Sequence, residues 1–275
     1  MAQYSLMDVK GPKRKLVIVR SAIAVVVVLL LWYLATRGVG IQSTASASTG
    51  THRTYTTNFS LTENPISEGG KWTNGQAAGL DWANVRTTPG FAFGTESGGT
   101  RTAPQKYDDS AALLTGAWGP DQTAQATVHA VNQNDQIYEE VELRLRSAFS
   151  AHKGTGYEIL FRSSKTAKAY CEIVRWNGPL GSFTYLDRAK GSQCGVANGD
   201  VVKATMVGNA ITAYINGVQV LQATDNTFTN GNPGMGFYID GATGMNADYG
   251  FTSFMATDGS TTQAASAPHL PATLH

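Results

Sequence analysis

Residue type and spacing come nearest to chemistry at Glu139-Glu140-Val141-Glu142. Side chains alternate along a β-strand, so Glu140 and Glu142 would share a face, and retaining glycoside hydrolysis needs two carboxyl groups about 5 Å apart, one as nucleophile and one as acid. Val141, Leu143 and Leu145 would point the other way, while Arg144 and Arg146 continue the polar face. Glu158, Arg162 and Glu172 lie on the segments that follow. If these segments pair in order, the wet face becomes a ladder of opposite charges serving solubility and strand register. That solvated ladder is the leading reading. The alternatives are Glu140 and Glu142 as catalytic residues, or a polar glycan-contact face.

Flat rings offer another way to hold sugars, because pyranose C–H faces stack on them while polar side chains bond the hydroxyls. The candidates are Trp82, Trp118, Tyr138, Trp176 and Tyr185, whereas Trp72 reads as core. Tyr138 falls on the same strand face as Glu140 and Glu142, and Trp176-Asn177-Gly178 stands at an expected turn. The five histidines (His52, His129, His152, His269, His275) have no zinc-ligand spacing. Gly94–Gly99 lacks the lysine and helix start of a phosphate loop.

The elements that must position these residues are strands. Only 15% of the 275 residues are charged, against roughly 25% in average soluble domains, and 30 are glycine. Thr123–Val131, Ile137–Arg146, Tyr157–Arg162, Tyr170–Trp176, Val201–Val207, Ala210–Ile215 and Val218–Leu221 recur with period-two patterning. Asn177-Gly178, Gly208-Asn209 and Asn216-Gly217 between them suit turns with positive φ. Many short antiparallel strands joined in this way make an all-β sandwich or jelly roll.

A different element precedes them. Residues 1–37 carry six basic side chains against Asp8, so with +1 overall the remainder is mildly acidic at −4. Such a body has no footprint for phosphate backbones, which argues against a nucleic-acid partner. Residues 16–36, including AIAVVVVLLLWYLA and interrupted by Arg20, span about 30 Å as a helix. The positive-inside rule then keeps the basic head 1–15 cytoplasmic and exports the rest. A retained transmembrane signal anchor is the leading reading, and secretion after cleavage near Ala47 is the alternative. Residues 37–56 read as a flexible linker, 57–257 as the folded domain and 258–275 as a disordered tail. Cys171 and Cys194 are the only cysteines, and in an exported domain they are expected to form a disulfide at the open end of a hairpin. Free thiols are the alternative.

Several segments resemble the concanavalin A-like (laminin-G-like) lectin/glucanase jelly-roll superfamily in its bacterial secreted form. They include Asn58-Phe59, the Gly69–Gly75 stretch GGKWTNG, Gly199–Ala204, Gly208–Gly217, Gly231–Phe237 and Asp248–Phe254. The resemblance implies an all-β, two-sheet antiparallel jelly-roll sandwich and a glycan as substrate class, without deciding catalysis. Glucanases of this type carry Glu-x-Asp-x-x-Glu, which is absent here. Alginate-lyase-like relatives use an Arg-x-Glu-Leu strand and a Gln-x-His strand; Val141–Arg144 only echoes the first, and the second has no match. The resemblance also admits structural calcium, with Asp225, Asp240 or Asp248 as contributors. The function expected from sequence is a membrane-tethered, extracytoplasmic glycan-binding or adhesion module that binds a polysaccharide or glycoconjugate. Its contacts would come from Tyr138, Glu140, Glu142, Arg144, Glu158, Arg162, Trp176 and Asn177. The alternative is a polysaccharide hydrolase or lyase acting through Glu140 and Glu142.

The charge asymmetry around residues 16–36 makes a topological prediction. Protease added to intact cells should remove the C-terminal domain and spare an N-terminal epitope; the reverse pattern would invert the orientation.

Overall fold

A computed structural model describes residues 52–96, 109–241 and 245–259. The strands run in chain order as β1 (Thr54–Thr57), β2 (Trp72–Asn74), β3 (Arg86–Thr88), β4 (Phe91–Phe93), β5 (Ser110–Leu114), β6 (Gln122–Ala130), β7 (Tyr138–Ser150) and β8 (Lys153–Arg162). There follow β9 (Tyr170–Gly178), β10 (Phe183–Lys190), β11 (Val201–Val207), β12 (Ala210–Ile215), β13 (Val218–Thr224), β14 (Asn232–Asp240) and β15 (Tyr249–Thr257). One sheet has the order β13-β12-β11-β6-β15-β4-β3, with β1 also paired to β15, and the other is β10-β9-β8-β7-β14-β5-β2. All the strand pairings are antiparallel, giving the two-sheet jelly-roll sandwich expected from the resemblance.

The core lies between the sheets. Val141, Leu143 and Leu145 of β7, Ile159 and Phe161 of β8 and Phe237 of β14 meet Ala126 and Val128 of β6, Ala204 and Met206 of β11 and Phe254 of β15. Each is fully or almost fully buried, as the period-two pattern requires. Trp72 belongs to this core, and Cys171 and Cys194 form a disulfide buried against it.

Several expectations are corrected. β1 begins at Thr54, inside the stretch read as linker, because Thr54–Thr57 pairs with Phe254–Thr257. Asp258, read as the first residue of the tail, accepts the amides of Arg53 at 2.6 Å and Gly119 at 2.8 Å. Asn177-Gly178 is the end of β9 and not a two-residue turn; the chain reverses over Pro179–Ser182, where the Ser182 amide donates to the Pro179 carbonyl at 2.9 Å. Arg146 leaves the face of Arg144 because β7 bulges between Leu145 and Ala148. Its guanidinium instead bonds the carbonyls of Pro120, Phe228 and Gly208. Among the described residues no helix is long and apolar enough to cross a membrane. The head 1–15, the apolar run 16–36, the linker to residue 51 and the tail from residue 260 lie outside them.

Asn216 and Gly217 do form the expected hairpin. Ile215 pairs with Val218, and both turn residues have positive φ, 51° and 80°. A β-branched residue at Gly217 must adopt a left-handed conformation at a cost of about 1–2 kcal/mol. Gly217→Val should therefore lower the urea unfolding midpoint by the equivalent of at least about 1 kcal/mol, and Asn216→Asp should leave it nearly unchanged. Equal midpoints for Gly217→Val and the parent would refute this.

Candidate functional site

The face of the seven-stranded sheet turned away from the core carries charge where a solvated surface was expected, yet most of that charge is buried. Glu140, Glu142, Arg144, Glu158, Arg162 and Glu172 are each 8% exposed or less. The sequence reading of a wet ladder is thus overturned, and for the central part of the face the reason lies in what packs over it. Leu80 and Trp82, from the loop after β2, cover this face and cluster with Ala111, Leu160, Val174 and Trp176. Trp82 packs against Trp176 with ring centroids 4.6 Å apart.

At the centre of the floor, Arg144 Nη2 lies 2.8 Å from Asp109, 2.5 Å from Glu142 and 2.9 Å from Glu158, and its guanidinium rests 4.4 Å from the Trp82 ring centroid. Gly236 of β14 leaves room for this cluster, because a Cβ there would collide with the Glu142 carboxylate. Burial, then the neighbouring Glu158 charge, holds the Asp109 carboxyl well above its ordinary value, and burial with the Asp109 and Glu158 charges does the same to Glu142. Burial works against the Arg144 charge, but Glu158, Glu142 and Asp109 outweigh it and raise its pKa.

Beside this cluster opens a cleft of about 610 Å³. Glu140, Arg162, Tyr170 and Glu172 form its polar lining, Trp176 and Phe183 continue it, and Tyr138 and Tyr185, each 45% exposed, stand at its margins. The Tyr170 hydroxyl donates to Glu140. Burial is the main cause that pushes the Glu140 carboxyl up to about 8, against the lowering effect of the Tyr170 bond. Arg162 donates to the carbonyls of Lys168, Asp135 and Ile137 at 2.8–3.1 Å, and its guanidinium lies 4.5 Å from the Tyr138 ring and 5.5 Å from that of Tyr170. Arg188 pairs with Glu172 at 2.7 Å and lies over Tyr185 at 4.3 Å.

Of the residues singled out from sequence, Tyr138, Glu140, Glu158, Arg162, Trp176 and Tyr185 come together around the cleft. Glu142 and Arg144 do not line it; they are clasped to each other beneath. Asn177 follows Trp176 on β9 and so faces the other way, where it accepts from Arg175 Nε at 2.9 Å. Trp82 and Trp118 are 1% and 8% exposed, so neither is a free sugar platform. Missed were Tyr170, Lys168, Lys190 and Tyr238. Tyr170 was readable, since it shares parity with Glu172 and Trp176.

The proposed calcium contributors do not converge. Asp225 accepts the Tyr157 hydroxyl and pairs with Arg175, both at 2.6 Å, while Asp240 lines the cleft and Asp248 accepts from Asn132. Among the described residues, Asp109, Glu142 and Glu158 are the one carboxylate set with oxygens within 4.8 Å of one another. Arg144 Nη2 already sits among those oxygens and supplies the positive charge, so the set does not fit an additional metal ion.

No family model matches the sequence, and no curated protein matches it. Solved structures do. The carbohydrate-binding module CBM66 from Bacillus subtilis is 15% identical at a TM-score of 0.45, covering 70% of this chain and 95% of its own. The metal-free carbohydrate recognition domain of Emp46p is 13% identical at 0.47, covering 74% and 96%. The Crh5 transglycosylase in complex with NAG is 13% identical at 0.43, covering 74% and 84%.

Raised carboxyl pKa values carry a consequence for stability. Glu140 ionises near 4.5 in an ordinary setting and near 8 in the fold, so across that window the folded state binds more protons than the unfolded chain. Stability therefore falls as pH rises from about 5 to 8. Urea midpoints should decline over that range, and Glu140→Gln should flatten the decline. A midpoint independent of pH, or a slope untouched by the substitution, would contradict this account.

Proposed function

We propose that this chain is a saccharide-binding module that holds a glycan in the cleft on the outer face of its seven-stranded sheet. The observation that carries the reading is the cleft itself, with exposed tyrosines at its margins and a floor of fixed, hydrogen-bonding charged groups. Tyr138 on β7 and Tyr185 on β10 are separated by three interstrand steps, roughly 14 Å at about 4.8 Å each. Such a span suits an oligosaccharide better than a single sugar ring. The rings supply stacking surface, and Glu140, Arg162 and Arg188 supply donors and acceptors for hydroxyls. The floor is held by ion pairs and packed indoles before any ligand arrives, so little side-chain ordering opposes binding.

The reading as a hydrolase or lyase through Glu140 and Glu142 has one feature in its favour: a Glu140 carboxyl that is largely protonated near neutrality is poised as an acid. Its partner is misplaced. Glu142 is 1% exposed and bound to Arg144, away from the cleft lining. Tethering by residues 16–36, with the module outside the cytoplasm, belongs to the same proposal, supported by the apolar run, the basic residues preceding it and the disulfide.

A glycan array should give defined hits. Against the best of these, Tyr138→Ala and Tyr185→Ala should each weaken binding about two- to tenfold by calorimetry, the worth of one stacking contact. No hits, or unchanged affinity in both variants, would count against the cleft as a saccharide site. Release of reducing sugar or unsaturated product, abolished by Glu140→Gln, would promote the enzymatic reading.

A further inference from the structure

The charges lining the cleft are unequally committed. Among the carboxylates, Asp109 and Glu158 are held by Arg144 at 2.8 and 2.9 Å, Glu172 is held by Arg188 at 2.7 Å, and Glu140 accepts the Tyr170 hydroxyl. That leaves Asp240. Among the cations, Arg188 alone forms an ion pair within the described residues. Lys168 and Lys190 are exposed and have no ion-pair partner among the described residues. Asp135 acts electrostatically with Lys168, but its carboxylate already accepts the Ser164 and Thr166 hydroxyls at 2.7 and 3.0 Å. Glu172 acts electrostatically with Lys190 while bound to Arg188.

Arg162 is the buried member of this group. It is 3% exposed, its three hydrogen bonds go to backbone carbonyls, and Nε has no partner. A guanidinium bonded only to carbonyls keeps its full charge, and one with an orphaned buried donor still has hydrogen-bonding capacity to offer. The cations also lie together. Arg162 bonds the Lys168 carbonyl, and Lys190 is the β10 partner of Tyr170, which lies against Arg162.

We infer that the cleft takes an acidic saccharide, a sugar bearing a carboxylate or sulfate group, with that anion seated among Arg162, Lys168 and Lys190. The inference rests on the saccharide-binding reading and narrows its ligand. Glu140, largely protonated at neutral pH, does not oppose an anion there, and the Tyr138 ring, 4.5 Å from the Arg162 guanidinium, puts an aromatic surface at the same margin of the cleft as that cation. Two mobile ammonium groups at the mouth and one fixed guanidinium inside would give a charge-assisted contact that a neutral glycan does not make.

The test uses the purified full chain and a panel of oligosaccharides: uronate oligomers, the same oligomers as methyl esters, sulfated galactan oligomers and the same galactan oligomers desulfated. The uronate or the sulfated oligomer should bind at least about tenfold more tightly than its uncharged counterpart at 50 mM salt, and the advantage should shrink severalfold by 500 mM. Lys168→Met with Lys190→Met should remove most of that advantage while leaving the unfolding midpoint unchanged. Preference for uronate identifies a carboxylate ligand, and preference for the sulfated oligomer a sulfate ligand. Equal binding of charged and uncharged forms would overturn the inference while leaving the saccharide reading in place. Failure of every oligosaccharide to bind would overturn both.

Discussion

A single guanidinium decides how the outer face of the seven-stranded sheet is built. Three carboxyl groups, from Asp109 just before β5, Glu142 on β7 and Glu158 on β8, converge on Arg144 Nη2, and any of them that is buried as an anion needs that cation beside it. Removing the arginine would leave uncompensated buried charge, the situation in which a broken buried ion pair costs about 3–5 kcal/mol. The cluster is also directional. Trp176 Nε1 donates to Glu158 at 2.5 Å, so the arginine fixes a carboxylate that in turn fixes the indole at the cleft wall.

From that centre the face divides into two halves with different solvents. On one side the indoles of Trp82 and Trp176, with Leu80 and Leu160, make a small second core outside the sandwich. On the other side Glu140, Arg162 and Glu172, each 8% exposed or less, line the cleft. Their surroundings are dry enough to raise two of the carboxyl pKa values and open enough to admit a ligand. The sandwich core below is ordinary in composition. What is specialised is a polar layer held between apolar layers on both sides.

Strand parity carried most of what was legible in the sequence. The alternation Tyr138, Glu140, Glu142, Arg144 was readable as one face of one strand, and Asn216-Gly217 as a turn whose chemistry allows little else. Parity says which side a residue faces and not what covers that side. The covering groups, Leu80 and Trp82, come from a loop with no hydrophobic period, so the charged face read as wet. The bulge that turns Arg146 away arises from backbone geometry between Leu145 and Ala148, for which an unbroken run of alternating residues gives no sign. Asn177 was misplaced for a similar reason: Asn-Gly is a strong turn signal, and here the strand runs through it and reverses at the Pro179–Ser182 turn that follows.

The Cys171–Cys194 bridge encloses β9 and β10, and with them Glu172, Trp176, Phe183, Tyr185, Arg188 and Lys190. One wall of the cleft is thus a covalently closed cassette. Its inward residues, such as Ile173, answer to the core, while its outward residues answer to whatever occupies the groove. Under mutation the two sets are free to drift separately. Exchanging outward side chains on this one hairpin would reshape the cleft wall, with the ring closure holding the hairpin together.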